Sequence, residues 1–144
     1  MTKQKIIDAN QINAEESDYL YVATSQLSDS GNGLFTAIPI YKEEIIAVFK
    51  GEILSETEAK TRANHGNDAY FMNLLTGSIL DCQNTECFAK YANDAAGIVR
   101  SAFKNNSKIT LDENGTVCLV ALKNIETSEE IFCDYGKKYW RRRL

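Results

Sequence analysis

Short runs of apolar and polar positions, rather than long periodic segments, make up most of the chain from residue 19 onward. Three runs rich in β-branched and aromatic residues predict strands, at 19–24, 34–38 and 44–49. The polar stretch 29–33 between the first two contains two glycines and predicts a loop. Residues 1–17 are polar with scattered isoleucines, so we expect a short helix or a loose arm there.

One segment carries a clear helix start. Ser55 can accept a hydrogen bond from the first turn while Glu58 reaches back to it, which is the capping-box pattern. We expect this helix to end near 64–67, where asparagine and glycine cluster. Residues 84–86 predict the cap of a second, shorter helix over 87–91.

The remaining apolar runs predict more strands. They lie at 69–75, 78–81, 108–111, 116–122 and 130–136. The Asn114-Gly115 pair between two of them favours a tight hairpin turn. Short strands with two small helices, and no regular alternation of strand and helix, predict a mainly β fold.

Length and composition restrict the class of protein. The 144 residues suffice for one domain, and 44% hydrophobic with 25% charged residues is typical of a globular chain. The sequence contains neither an apolar run long enough to span a bilayer nor the apolar core of a secretory signal. We therefore expect a cytoplasmic or nuclear protein in a reducing compartment, without membrane contact. Secretion as an effector stays open.

The charge distribution bears on the partners. The net charge is −4, and the one basic cluster lies in 137–143 at the C-terminal end. Nucleic-acid-binding domains usually carry a basic face, so we expect no direct nucleic-acid partner. An acidic body more naturally attracts a basic ligand such as a lysine-rich peptide.

The cysteines do not form a recognisable framework. Four of them are scattered through the chain without a C-x-x-C pair, and the single histidine, His65, lies in a polar stretch. A structural zinc site needs four convergent ligands, so we expect no metal. A cysteine hydrolase using His65 is a remote alternative, because no third, orienting group can be named.

Several short motifs carry little information one by one. Gly31-Asn32-Gly33 can be an ordinary turn, Phe49-Lys50-Gly51-Glu52 a strand end, and Asn93-Asp94 a helix C-terminus. Asp134-Tyr135-Gly136 can be a strand entering a turn. Their order and spacing are more specific than any single motif.

Taken together, these motifs resemble the SET-domain family of protein lysine methyltransferases, from about Tyr19 to Trp140. Residues 31–35 match Gly-x-Gly-Leu-Phe, and 49–52 match Tyr-x-Gly-Glu with phenylalanine for tyrosine. Residues 70–74, followed by Asp81, are similar to the family's Tyr-Leu-Phe-x-Leu and Ile-Asp segment. Residues 89–94 resemble Ala-Arg-Phe-Ile-Asn-His, and 130–136 match Glu-Leu-x-x-Asp-Tyr-Gly, the most specific of the five.

The resemblance implies a fold and an activity. The fold is the mainly β SET (β-clip) arrangement of several small sheets with a C-terminal pseudoknot, over 18–144, ending in a short aromatic and basic tail. The activity is transfer of methyl from S-adenosylmethionine to a lysine of a protein or peptide, such as a histone, with S-adenosylhomocysteine as product. Because no cysteine follows Cys133 in this sequence, we expect the minimal form of the family, without the zinc-binding tail that many members carry. We expect a monomer or a homodimer.

The resemblance also implies roles for individual residues. Tyr135 is the catalytic residue, and Tyr70 and Cys133 line the channel of the substrate lysine. The cofactor-binding residues are Gly31, Asn32, Gly33, Leu34, Tyr91, Asn93, Asp94, Tyr135 and Trp140. Methyl transfer to an amine is an in-line displacement, which requires alignment and a neutral lysine. An apolar aromatic channel beside a sulfonium disfavours the ammonium form.

Three of the departures from the family pattern bear directly on activity. Asp94 replaces histidine and Ala95 replaces serine, so the alternative is a catalytically impaired SET-fold module that binds peptides. Cys133 occupies the position where phenylalanine or tyrosine limits the number of methyl groups, and its small side chain predicts more than one methyl per lysine. Trp140 either covers the cofactor or packs on the body of the domain.

Overall fold

The computed structural model describes residues 10–27, 30–74, 78–96 and 102–134. Within them the strands are β1 Leu20–Thr24, β2 Asn32–Thr36, β3 Ile45–Val48, β4 Glu52–Leu54, β5 Phe71–Asn73, β6 Ile79–Asp81, β7 Ser107–Leu111, β8 Val117–Ala121, β9 Glu130–Ile131 and β10 Cys133–Asp134. The α-helices are α1 Glu16–Tyr19 and α2 Glu56–Asn64, and Ala89–Tyr91 forms a 3₁₀ turn.

The strands form three small sheets. Their orders are β1-β2-β9, β10-β7-β8-β3 and β4-β6-β5. Neighbouring strands are antiparallel except β10, which pairs in parallel with β7. The expectation of a mainly β fold with several small sheets is therefore confirmed.

The helical segments follow the local capping chemistry. Ser55 accepts from the Glu58 amide at 3.1 Å while the Glu58 carboxylate accepts from the Ser55 amide at 3.1 Å, so the predicted capping box is present. The second predicted helix is only a 3₁₀ turn, because Ala92 leaves it in extended conformation to reach the next pairing. The N-terminal segment contains the single turn α1; residues 1–9 lie outside the described part of the chain.

The hairpin between β7 and β8 forms as the Asn-Gly pair predicts. The Asp112 carboxylate accepts from the amides of Asn114 and Thr116 at 2.8 and 2.9 Å. Gly115 adopts φ 78°, a left-handed conformation that glycine tolerates without strain. The turn is thus held by one aspartate and one glycine.

Strand β4 is not predicted from the sequence, which indicates only a strand end at 49–52. It is three residues long, and its apolar Ile53 is 68% exposed. The strand therefore lacks the alternation of apolar buried and polar exposed residues by which a strand is predicted. The preceding Gly51 packs against the chain after β6: an added Cβ would lie 2.9 Å from the Cys82 Cα and closer still to the Asp81 carbonyl. Glycine at 51 therefore permits the β4–β6 pairing.

The core lies between the three sheets. Its largest fully buried apolar side chains are Leu34, Ile40, Ile46, Leu119, Ile125 and Ile131. All four cysteines are free and buried. In the described ranges, no helix combines the length and hydropathy that a membrane crossing requires.

Candidate active site

The segment 130–134 passes between three separate parts of the chain. Its first half pairs with β2, where Ile131 lies opposite Leu34, and its second half pairs with β7. Between the two, Phe132 forms a parallel bridge with Asn93. This threading is the pseudoknot that the family resemblance implies.

Two buried polar residues hold Phe132 in place. The Asn106 side chain accepts from the Phe132 amide at 2.9 Å and donates to the Glu130 carbonyl at 2.9 Å. The Ser107 hydroxyl donates to the Phe132 carbonyl at 2.8 Å. No role was predicted for Asn106 from the sequence. In the structure its side chain is only 1% exposed, so its polar atoms need hydrogen-bond partners within the protein.

The two motifs predicted to bind the cofactor are Gly31-Asn32-Gly33 and Asn93-Asp94. They lie together at the crossing, which is the place where segment 130–134 bridges to Asn93. The Asn93 side-chain amide donates to the Asn32 carbonyl at 2.9 Å. At Gly31, with φ 63°, an added Cβ would have open space around it, whereas the Leu34 side chain is fully buried in the core. Only the backbone of Leu34 can therefore face a ligand, and Gly31 and Asn32 line the exposed side.

Glu130 is a buried residue of this region that received no role from the sequence. Its carboxylate is 0% exposed and accepts from the Ser25 hydroxyl at 2.7 Å and from the Gln26 amide at 2.8 Å. It also closes the space beside Gly33, where an added Cβ would lie 2.9 Å from the carboxylate carbon. The glycine requirement at 33 is thus explained by Glu130.

Asp94, which replaces the family's histidine, is part of a closed hydrogen-bond arrangement. Its carboxylate accepts from the Asn105 side chain and from the Ala96 amide, both at 2.9 Å. Asn105 in turn accepts from the Ala95 amide at 2.8 Å. The segment after Asn93 is therefore fixed by a partner from the chain before β7.

Cys133 is completely buried next to Asn93. Its amide donates to the Asn93 carbonyl at 2.8 Å, and its thiol donates to the Ala92 carbonyl at 3.7 Å. Burial, with further contributions from Asp94 and Asp134, raises the pKa of this thiol well above its ordinary value. The group is consequently a small neutral side chain rather than a nucleophile.

Tyr70 and Tyr91 share a neighbour that the sequence interpretation did not single out. The Lys90 ammonium lies 5.5 Å from the Tyr70 ring centroid and 5.4 Å from that of Tyr91. Tyr70 is 37% exposed in the turn before β5. In the sequence Lys90 directly precedes Tyr91, which was the available signal. Its proximity to the ring of Tyr70, in a separate segment, becomes visible only in the fold.

The structure thus brings most of the predicted site residues into two neighbourhoods. Residues 31–34, Asn93, Asp94 and Cys133 meet at the crossing of 130–134, while Tyr70 and Tyr91 meet at Lys90. The predicted catalytic Tyr135 and the predicted cofactor residue Trp140 lie outside the described residues. Among the residues the structure describes, no three His, Cys, Asp or Glu side chains converge to hold a metal ion.

Comparison with protein families identifies the class. The model of the SET domain family matches residues 31–136. Because this match spans most of the chain, the chain belongs to the SET domain family. The expected SET fold is confirmed by the same match and by the arrangement of the sheets.

Individual relatives agree with this family. The histone-lysine N-methyltransferase mes-2 of Caenorhabditis elegans is 30% identical over 111 residues, which are 74% of this chain and 14% of that protein. A humanized mutant of the Chaetomium thermophilum Polycomb Repressive Complex 2 bound to the inhibitor GSK343 is 27% identical, with a TM-score of 0.68 over 81% of this chain and 15% of that one. Apo ctPRC2 with two mutations in Ezh2 is 27% identical, with a TM-score of 0.70 over 86% and 16%. The chain therefore spans about a seventh of the length of these relatives.

Proposed function

We propose that this chain is a protein-lysine N-methyltransferase that uses S-adenosylmethionine. The observation that carries the proposal is the Asn93–Asn32 hydrogen bond of 2.9 Å, because it joins the two motifs to which the family resemblance gives cofactor contacts. Membership of the SET family and the threaded segment 130–134 support it. Tyr135 follows directly on that segment in the sequence and is the proposed catalytic residue.

The residues at the crossing fit the amino-acid end of this cofactor. That end carries an ammonium and a carboxylate, so it needs acceptors and donors close together. The Asn93 side chain has one acceptor and one donor beyond its bond to Asn32, and the backbone at Gly31 and Asn32 beside it is exposed. The open space at Gly31 leaves room for a ligand against the chain. When bound, the cofactor supplies a methyl group activated by a sulfonium.

We assign the other cofactor contacts by the same resemblance. The backbone of Gly33, Leu34 and Asp94 and the ring of Tyr91 complete the described part of the site. Trp140 is proposed to cover it. The closed pair of Asp94 and Asn105 supports a backbone role for 94, since the carboxylate is already engaged within the protein.

The substrate lysine is proposed to enter beside Tyr70 and to be oriented by the Tyr135 hydroxyl. The ordinary pKa of a lysine is about 10.4, so the amine has to lose its proton before it attacks. Removal of the side chain from water against aromatic and apolar walls favours the neutral form. The neutral, buried Cys133 adds no charge to these walls.

A histone tail is the substrate class we propose. The relative from C. elegans is named a histone-lysine methyltransferase, and a net charge of −4 suits a basic peptide. A nuclear location and a monomeric or homodimeric state belong to the same proposal. The proposed methylation of a lysine with S-adenosylmethionine does not depend on which peptide is the substrate.

The first experiment measures cofactor binding by isothermal titration with S-adenosylhomocysteine. We expect Asn93→Ala to raise the Kd at least about tenfold, equivalent to about 1.4 kcal/mol. The exposed Asn67→Ala serves as the matched control and should leave the Kd unchanged. Absence of binding to the wild-type protein would contradict the cofactor assignment.

The second experiment measures methyl transfer from labelled S-adenosylmethionine to a histone panel and to whole-cell lysate. We expect transfer by the wild-type protein and its loss in Tyr135→Phe. Binding without transfer to any of these substrates would instead support the alternative, a SET-fold module that recognises peptides. Undiminished transfer by Tyr135→Phe would refute the catalytic assignment.

A further inference from the structure

The half-buried ammonium of Lys90 is bound by three backbone carbonyls of one loop. It donates to the carbonyls of Cys82, Gln83 and Thr85 at 3.2, 3.1 and 3.2 Å. An ammonium has three N–H donors and no acceptor, so these three bonds use its full capacity. The loop after β6 is therefore tied to the 3₁₀ turn that carries Lys90.

The same ammonium makes cation–π contacts with two aromatic rings. Its nitrogen is 5.5 Å from the Tyr70 centroid and 5.4 Å from the Tyr91 centroid, within the range of a cation–π contact. The loop bound by Lys90 also reaches Tyr70 directly, because the Cys82 amide donates to the Tyr70 carbonyl at 3.2 Å. Both the ring and the backbone of Tyr70 are thus connected to Lys90.

We infer that Lys90 is a positioning residue that sets the place of the Tyr70 ring relative to the Tyr91 ring, and with it the width of the substrate-lysine channel. This rests on the proposed function, in which Tyr70 lines the channel and Tyr91 lines the cofactor site. Lys90 touches neither substrate nor cofactor in this proposal. It acts indirectly, by holding the Tyr70 ring, which lines the channel, close to the Tyr91 ring, which lines the cofactor site.

The choice of lysine rather than arginine follows from the geometry. Three carbonyls converge on one atom, which suits the compact ammonium, whereas the guanidinium presents its donors in a planar fork. The family element that residues 89–94 resemble has arginine at this position. Lys90→Arg should therefore keep the attraction to the rings but lose part of the carbonyl contacts, which makes it a graded test.

The position of Lys90 can be measured without any enzymatic activity. In proton–carbon NMR spectra, the ε-methylene of Lys90 should resonate upfield of that of the exposed Lys60, because it lies near two ring faces. Tyr70→Leu and Tyr91→Leu should each remove part of this displacement while the Lys90–carbonyl bonds remain. An ε-methylene shift equal to that of Lys60 would overturn the inference.

Kinetics then test the effect on the substrate. With a histone peptide that the wild-type protein methylates, we expect Lys90→Met to raise KM about tenfold, which is about the contribution of two partly exposed cation–π contacts. The Kd for S-adenosylhomocysteine should change less than twofold. Lys90→Arg should recover at least half of the loss in kcat/KM, and Lys60→Met should have no effect.

The outcomes separate the two proposals. Equal weakening of peptide and cofactor binding in Lys90→Met, together with a lowered Tm, would indicate a purely structural lysine and overturn the inference. If Lys90→Met does not fold, the NMR measurement on the wild-type protein decides, since an ε-methylene that is not displaced upfield contradicts the positioning role. If the wild-type protein binds no cofactor while the upfield ε-methylene is observed, the proposed function fails and the ring contacts of Lys90 stand.

Discussion

The carboxylate of Glu130 occupies the space that a side chain at residue 33 would need. An added Cβ on Gly33 would lie 2.9 Å from the Glu130 carboxylate carbon and closer to one of its oxygens. Glu130 cannot easily move aside, because it is fully buried and bonded to Ser25 and Gln26. The second glycine of the Gly-x-Gly motif is therefore required by packing inside the domain.

Substitution of this glycine should destabilise the protein. We expect Gly33→Ala to lower the free energy of unfolding by about 2–3 kcal/mol, since a methyl group is forced into a filled site. Gly31→Ala meets no atom within 4 Å but must adopt φ 63°, so its cost should be about 1 kcal/mol. Urea denaturation followed by circular dichroism measures both.

A double-mutant cycle identifies the cause. In a Glu130→Ala background the carboxylate is gone, so Gly33→Ala should cost less than it does in the wild-type protein, while the cost of Gly31→Ala should not change. If the cost of Gly33→Ala is the same in both backgrounds, the clash with Glu130 is not its origin.

Two cationic residues of helix α2 should differ strongly in their effect on stability. Arg62 donates to Glu52 at 3.2 Å and to Asp81 at 2.7 Å, and the Asp81 side chain is only 1% exposed. Lys60 lies 3.7 Å from Glu56, and these side chains are 75% and 87% exposed. Removal of Arg62 leaves a buried carboxylate without its cation, whereas removal of Lys60 leaves a solvated one.

We therefore expect Arg62→Met to reduce the free energy of unfolding clearly more than Lys60→Met, whose effect should be less than about 0.5 kcal/mol. Both variants exchange a long cationic side chain for a long apolar one on the same helix, so helix propensity is nearly matched. Equal effects in chemical denaturation would show that burial of Asp81 does not govern the strength of the pair.

Local chemistry explains what the sequence predicts correctly about the fold. The capping box at Ser55 and Glu58 and the Asn-Gly turn before β8 depend on neighbouring residues only, so both are predictable. Strand β4 and the shortened second helix depend on distant partners. Glu52 pairs with Asp81, and the chain after Tyr91 is drawn into the bridge between Asn93 and Phe132.

The candidate site shows the same division between features that can be predicted from the sequence and features that depend on distant partners. Motif order predicts that residues 31–34 and Asn93 belong together, and the hydrogen bond between Asn32 and Asn93 agrees with this. The roles of Glu130, Asn105 and Lys90 were not predicted, because each acts through a residue that is remote in sequence. A buried charge or amide becomes interpretable only once its partners are known.

The size of Cys133 leads to a prediction about the product. Its side chain is small and fully buried beside Ala92 and Asn93, so under the proposed function we expect more than one methyl group per lysine. Cys133→Phe should shift the product toward monomethyl lysine and, by overpacking, lower the free energy of unfolding by about 1–3 kcal/mol. Mass spectrometry of a methylated histone peptide measures the product distribution. A wild-type product that is monomethyl throughout would contradict the prediction.

The pH dependence of stability should depend on the pair Cys82 and Cys87. The hydrogen bond from the Cys82 thiol, helped by the Lys50 amide at 3.4 Å and by the Lys90 amide, lowers the pKa of Cys87 below its ordinary value, although burial opposes the shift. The same hydrogen bond and burial raise the pKa of Cys82, which keeps its proton.

Between the lowered pKa of Cys87 and the ordinary thiol pKa of about 8.5, the unfolded chain therefore binds more protons at Cys87 than the folded protein does. Since stability rises with pH wherever the unfolded state holds the extra protons, the free energy of unfolding should increase with pH across this window. This contribution to stability is lost as the pH falls through the lowered pKa of the folded protein. Urea denaturation at several pH values, under reducing conditions, measures the slope. Cys87→Ala should abolish it and Cys118→Ala should retain it, because burial raises the pKa of the Cys118 thiol. A slope that persists in Cys87→Ala would mean that another group is responsible.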